Sequence, residues 1–232
     1  MSSNSESARD GIIGAVRRSL GRGALGAESE DELEKRLRTP DANTIPARSN
    51  VSHAEQVDMF TRYAEGVSAT VSRVSRAAEV PAAVSDYLAE HNLPSDVVMA
   101  PDEALDAYPW GERPMLGIRR GRAEDADAVS VTGAEFGFAE TGTLMMTSGA
   151  HHPSTLNFMP DTHVVILPAN RIVGAYEEGW QALRERTDAD GTFMPRTVNM
   201  ITGPSRTGDI EQRMQLGAHG PRRLHIVIVD EA

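Results

Sequence analysis

Apolar residues recur along this chain with two periods, and the change from one to the other marks its organisation. From Ser52 onward Val57, Phe60, Ala64, Val67, Val71 and Val74 return at spacings of three and four, which places them on one face of a helix. Pro81 interrupts the pattern and can open a second helix, because a proline in the first turn gives up no hydrogen bond. Val84, Tyr87 and Leu88 form the apolar face of that helix in "PAAVSDYLAEHN". Short apolar runs then follow at intervals: "DVVMAP", "AVSVTG", "TGTLMMTS", "THVVILP", "TVNMITG" and "LHIVIVD". Several are continuous rather than alternating, the pattern of strands buried on both faces in a largely parallel sheet. Between two of them "VGAYEEGWQALRER" reads as a helix with Tyr176, Trp180 and Leu183 on one side. Helices and strands thus alternate, which predicts an α/β protein with layered architecture.

Ahead of Ser52 the periodicity weakens. "GIIGAVRRSL" at 11–20 predicts a short helix, and 21–50 holds two prolines and many small polar residues. That composition reads as an arm or linker with at most a short helix in it. The predicted organisation is therefore a helical arm and linker over 1–50 and one domain over 51–232.

Composition narrows the chemistry. The chain has 232 residues and a net charge of −11, which argues against a nucleic-acid partner on electrostatic grounds. Arg119, Arg120 and Arg122 form a small basic spot, read as a solvated turn. Lys35 is the only lysine and cysteine is absent, so a Walker-type lysine, thiolate catalysis, disulfides and cysteine-ligated clusters are excluded for this chain. No apolar run approaches the roughly 20 residues of a membrane helix, and the N-terminus lacks the apolar core of a secretory signal. The expected location is the cytoplasm.

Several motifs are weighed against simpler readings. Gly21, Gly23 and Gly26 match G-x-G-x-x-G, but the dinucleotide fingerprint needs a strand before it, so they read as a linker. "TDADGT" at 187–192 opens like a calcium loop, yet its glycine comes too early and the closing glutamate is missing. The adjacent His151 and His152 point to opposite faces of an extended segment, so loop packing is preferred to a metal site. In "ITGPSRTGDIEQRM" a strand ends at Ile201 and Gly203–Pro204 turn the chain. Ser205 or Thr207 is then expected to cap a helix, whose start is either simply a well-made one, with Asp209 and Glu211 suiting the dipole, or an anion site, with Arg206 able to grip a carboxylate or phosphate. In "GAHGP" Gly217 is expected to end that helix in a left-handed conformation, with His219 on the turn before the last strand, either as a structural histidine donating to a backbone carbonyl or as a site residue near Ser205 and Arg206. "AETGT" at 139–143 links the runs "AVSVTG" and "TLMM" across a short segment read as helical. Gly142 permits a positive φ, Thr141 and Thr143 offer hydroxyls, and Glu140 is either a turn acid satisfied by local N–H groups or an acid, base or nucleophile at a pocket.

The motifs "AETGT", "GPSRTGDIE" and "GAHGP", in this order, resemble those of the LUD-domain family, in its lactate utilization protein C branch. The resemblance covers roughly residues 50–232; one departure is Gly208, where the family usually carries alanine. It implies a three-layer α/β/α sandwich like that of the NagB/RpiA/CoA-transferase group. It also implies a part in oxidising L-lactate to pyruvate, as the cluster-free subunit of an assembly whose partner subunits carry iron–sulfur clusters, with no cofactor in this chain. The alternatives are CoA-transfer or cyclo-ligase-like chemistry on a small carboxylate through Glu140, or a scaffold or ligand-sensing subunit. The candidate catalytic groups are Glu140 and His219. The candidate substrate-binding residues are Thr141, Gly142, Thr143, Ser205, Arg206, Thr207 and Gly220, with no metal site. These loops are expected to converge on one rim.

Overall fold

The computed structural model describes residues 3–21, 23, 25–189, 194–207, 215–217 and 219–231. The chain divides into two compact units, Met1–Asn43 and Thr44–Ala232. The first holds helices α1 (Ser3–Ser19) and α2 (Ala27–Arg38). Helix α1 starts well before the predicted 11–20, because its polar first turns carry no apolar stripe to register. Helix α2 has Glu28 and Glu30 in its first turn and Lys35, Arg36 and Arg38 in its last, the charge order a helix dipole favours. The division falls earlier than the expected boundary at 50. Ser49 is buried, and its carbonyl accepts 3.2 Å from Gln56 Nε2, which ties the segment before Ser52 to the second unit.

That unit is built on a six-stranded sheet in the order β1 (Thr70–Arg76), β12 (Arg223–Glu231), β7 (Thr162–Pro168), β4 (Val129–Gly133), β2 (Asp96–Met99), β3 (Gly117–Arg120). Every pairing in it is parallel. Strand β7 shows why its apolar run is continuous. Val164 and Ile166 join one core with Val131 and Val227, while Val165 and Leu167 join another with Ile226 and Ile228. Each such side chain contributes about 1.5–3 kcal/mol by leaving water. The first core is closed by α4 (Val80–Glu90), through Val84, Tyr87 and Leu88, and by Leu105 of the short helix α5 (Glu103–Asp106) and Leu156 of α6 (Thr155–Phe158). The second is closed by α3 (His53–Gly66) through Val57, Phe60 and Ala64, and by a smaller sheet. The result is the mostly parallel, three-layer α/β/α arrangement that was expected.

The smaller sheet has the order β8 (Ile172–Val173), β5 (Phe136–Phe138), β6 (Thr143–Thr147), β9 (Val198–Ile201). Strand β6 runs antiparallel to both its neighbours, so the "TLMM" run does not belong to the parallel sheet. It is buried on both sides all the same. Leu144 and Met146 face the second core, and Met145 packs with Phe138 and Leu183, the last from α7 (Tyr176–Ala189). Double-sided cover, not strand direction, makes such a run apolar.

Three other expectations are corrected. The helical face through Val57 stops at Gly66, and Val71 and Val74 lie on β1, packing against opposite cores; their spacing of three fits a helix by coincidence. The segment before "AETGT" is strand β5, not helix. Arg119 and Arg120 lie on edge strand β3, paired with Asp127 and Asp106 rather than free in a turn.

Candidate functional site

The turn Ala139–Thr143 joins β5 to β6 as a tight hairpin: the N–H groups of Gly142 and Thr141 both donate to the Phe138 carbonyl, at 2.9 and 3.4 Å. Glu140 is 7% exposed. Its Oε1 accepts 2.9 Å from the N–H of Tyr176, the first residue of α7. The residue ahead of that helix, Ala175, has no side-chain acceptor with which to cap it; its own N–H donates 2.9 Å to Glu178 Oε1. Glu140 therefore supplies from a distant loop the acceptor and the negative charge that a helix start requires. It is a turn acid, but one satisfied across the fold rather than locally. The Glu140 N–H donates 3.1 Å to the Gly174 carbonyl, and Arg48 donates 3.4 Å to the Glu140 carbonyl.

The threonines of the same turn meet a hydroxyl cluster. Thr141 Oγ1 lies 2.8 Å from both Thr143 Oγ1 and the Tyr176 hydroxyl, and the Tyr176 hydroxyl donates 2.9 Å to Thr143 Oγ1. Thr143 Oγ1 lies 2.7 Å from Thr202 Oγ1. Thr202 in turn stands on the wall of a cavity of about 240 Å³, together with Ser205, Arg206, His219 and Gly220. The floor is made by Asn157 and by His163 and Leu224 at the starts of β7 and β12. Glu140, Thr141, Gly142 and Thr143 are not among its lining residues. The structure thus brings Arg206 and His219 to one cavity and places the Glu140 turn behind it, connected through the Thr143–Thr202 contact.

Ser205 holds the two loops together. Its N–H donates 2.8 Å to the Pro221 carbonyl, its carbonyl accepts 2.9 Å from Gly217, and its Oγ accepts 3.2 Å from the His219 N–H. This replaces the expected helix cap. Arg206–Thr207 form strand β10, antiparallel to β11 (Gln215–Leu216), so neither Ser205 nor Thr207 starts a helix there and Arg206 does not stand at a helix N-terminus. Extended pairing with β11 takes up the backbone groups that a cap would have served. Gly217 does adopt a positive φ, +81°, but at the end of β11 and not of a helix. Of Thr207 only the backbone is described; Gly208, Asp209 and Glu211 lie outside the described residues. Arg206 and His219 are exposed, and among the described residues no carboxylate pairs with the Arg206 guanidinium.

Sequence reasoning passed over His163, Asn157 and Thr202. His163 is 1% exposed, its Nε2 lies 2.8 Å from Thr132 Oγ1, and burial pushes its pKa down to about 3. It is a neutral ring at working pH. The signal was a histidine opening the apolar run "THVVILP", a polar group that burial obliges to find a partner. His151 Nδ1 lies 2.9 Å from the Pro101 carbonyl and His152 Nε2 lies 3.6 Å from Asp102. Among the described residues no group of three or more histidine, aspartate or glutamate side chains is placed to hold a metal ion. None of their helices is long and apolar enough to cross a membrane.

A parallel sheet covered on both faces, with a small cavity closed by two late loops, defines a three-layer α/β/α domain with a candidate site at that cavity. Residues 57–229 match the LUD domain family, and the chain belongs to it. It is similar to proteins called lactate utilization protein C. That of Bacillus velezensis is 30% identical over 132 residues, 56% of this chain and 53% of the relative. That of Anoxybacillus flavithermus is 27% identical over 218 residues, 82% of this chain and 93% of the relative. The chain spans about half the length of the first of these. It also resembles the crystal structure of a DUF162 family protein from Deinococcus radiodurans, with a TM-score of 0.57, 26% identity, and 77% of this chain and 99% of that chain covered.

Proposed function

We propose that this protein acts in lactate utilization, as the cluster-free subunit of an L-lactate-oxidising assembly, and that it binds a small carboxylate between Arg206 and His219. The observation that carries the reading is the meeting of the "GPSR" and "AHGP" loops on one cavity of about 240 Å³. This lies below the roughly 300–1,000 Å³ typical of sites for larger ligands, and it suits a three-carbon acid. Arg206 grips the carboxylate with two parallel N–H bonds, and His219 accepts the hydroxyl proton. Oxidation of lactate to pyruvate releases two protons and two electrons. The C2–H bond breaks as the C=O bond forms; its hydrogen leaves to solvent as the second proton, and, since the chain has no cysteine to hold an iron–sulfur cluster, the two electrons pass to clusters on partner subunits. The relatives named for lactate utilization support a part in that process.

Replacing Arg206 with alanine tests it. L-lactate titrated into the purified protein is expected to bind at least about tenfold more weakly, the scale of losing a charge-assisted pair. A host relying on this protein should then grow poorly on lactate. Unchanged lactate binding together with unchanged growth would remove the assignment.

A further inference from the structure

A second cavity, of about 570 Å³, lies elsewhere on the domain, lined by residues that the reading above leaves unused. Its place follows from the topology. Strands β2 and β4 are neighbours, but within this sheet the next strand after β2 is β3, on one side, while the next after β4 is β7, on the other, reached by way of β5 and β6 of the smaller sheet. Adjacent parallel strands whose connections diverge leave a crevice outside their carboxyl ends, where ligands of open α/β sheets bind. Asp102 follows β2, Glu135 follows β4, and both line this cavity. Its volume falls in the range of small-molecule sites.

The lining is polar, and two of its three carboxylates, Asp102 and Glu135, have partners. Asp102 Oδ1 accepts 3.0 Å from the Ala104 N–H, and its Oδ2 faces His152 Nε2 at 3.6 Å. Glu135 is paired with Arg186. Ser148 Oγ accepts 2.9 Å from the Thr197 N–H, leaving its own proton to donate. Thr147, 8% exposed, completes the wall. The carboxylates disfavour an anion. An ammonium ion is also poorly served: Asp102 and Glu135 already have partners, and the third carboxylate of the lining, Glu103, stands exposed to water, where an ion pair contributes little. What remains is a set of hydrogen-bond acceptors on fixed carboxylates interleaved with donors from Arg186, Ser148 and Thr147. A compound bearing several neutral hydroxyls, each both donor and acceptor, matches that set.

We propose that this crevice is a second binding site, for a neutral polyhydroxylated small molecule, with Asp102 and His152 as its positioning pair. It stands independently of the lactate reading. The probe is ribitol, followed by saturation-transfer NMR on the full chain, with putrescine and L-lactate as contrasting probes. Ribitol is expected to bind. Asp102→Asn, which keeps the α5 cap because asparagine caps as well as aspartate, and Thr147→Val are each expected to weaken binding by about tenfold. Arg206→Ala should leave ribitol binding unchanged. The proposal is overturned by absence of ribitol binding, by ribitol binding that both substitutions leave intact in folded protein, by its loss in Arg206→Ala, or by tighter binding of putrescine or lactate in this crevice.

Discussion

Gly142 carries two constraints at once. Its φ is +66°, and a Cβ placed on it would lie 2.3 Å from the Ala64 N and 2.6 Å from the Tyr63 carbonyl carbon. The contacted atoms are backbone at the end of α3 and cannot swing aside. Gly142→Ala is therefore expected to cost about 3 kcal/mol or more, from conformational strain and forced displacement together. Urea denaturation of the variant checks this; a loss under about 1 kcal/mol would mean the hairpin can shift away from α3. The positive φ was foreseeable from glycine in a turn between two apolar runs. The clash was not, because it depends on which helix the fold sets against that turn. His163 escaped notice for a related reason: its neighbours in sequence announce a strand, while Thr132, the partner its ring meets, is remote in the chain.

Helix α7 shows how one element assigns a role to another. Its apolar side, with Tyr176, Trp180 and Leu183, was legible from spacing alone. Its beginning was not, because Ala175 offers no cap and the acceptor comes from Glu140. A capping carboxylate and a reactive carboxylate predict different consequences. As a cap, Glu140→Gln keeps an acceptor oxygen and loses only the charge against the helix dipole, about 0.5–1 kcal/mol; Glu140→Ala also strands the Tyr176 N–H and is expected to cost about 1–3 kcal/mol. Urea midpoints of the two variants should fall in that order. As an acyl-accepting nucleophile, Glu140 would be trapped by hydroxylamine in the presence of an acyl-CoA, and mass spectrometry should find it unmodified if capping is its role. The same contrast explains which elements reading the chain recovered. Helices α3, α4 and α7 have a period to detect, and the long buried strands a continuous apolar run. Strand β5 has three residues and β10 two, too few for a period, and each is fixed by its partner strand.

Across the whole domain the parallel sheet buries two imidazoles, and both weaken it in acid. His163 is held at a pKa of about 3 by burial. His225 is held at about 4, by burial first and then by the charge of His91. His225 Nδ1 lies 2.8 Å from Thr70 Oγ1, its Nε2 lies 3.2 Å from Ser72 Oγ, and its ring stacks on Tyr87 with centroids 3.8 Å apart. Neutral rings fit these surroundings, and a proton has to be accommodated against them. In the unfolded chain both histidines titrate near 6.5, so below that pH the unfolded state binds more protons than the folded one. The stabilisation is therefore complete above about pH 6.5 and declines as pH falls toward 4 for His225 and toward 3 for His163. Together they are expected to remove on the order of several kcal/mol between pH 7 and pH 4, at about 1.4 kcal/mol per unit of displacement. Urea midpoints measured across that window should fall steadily. His225→Asn, which keeps polar contact with Thr70 and Ser72 but cannot titrate, should lower stability at pH 7 and flatten the decline. Curves for wild type and variant that run parallel from pH 7 to pH 4 would show that His225 takes up no proton on unfolding, and that the acid sensitivity arises elsewhere in the sheet.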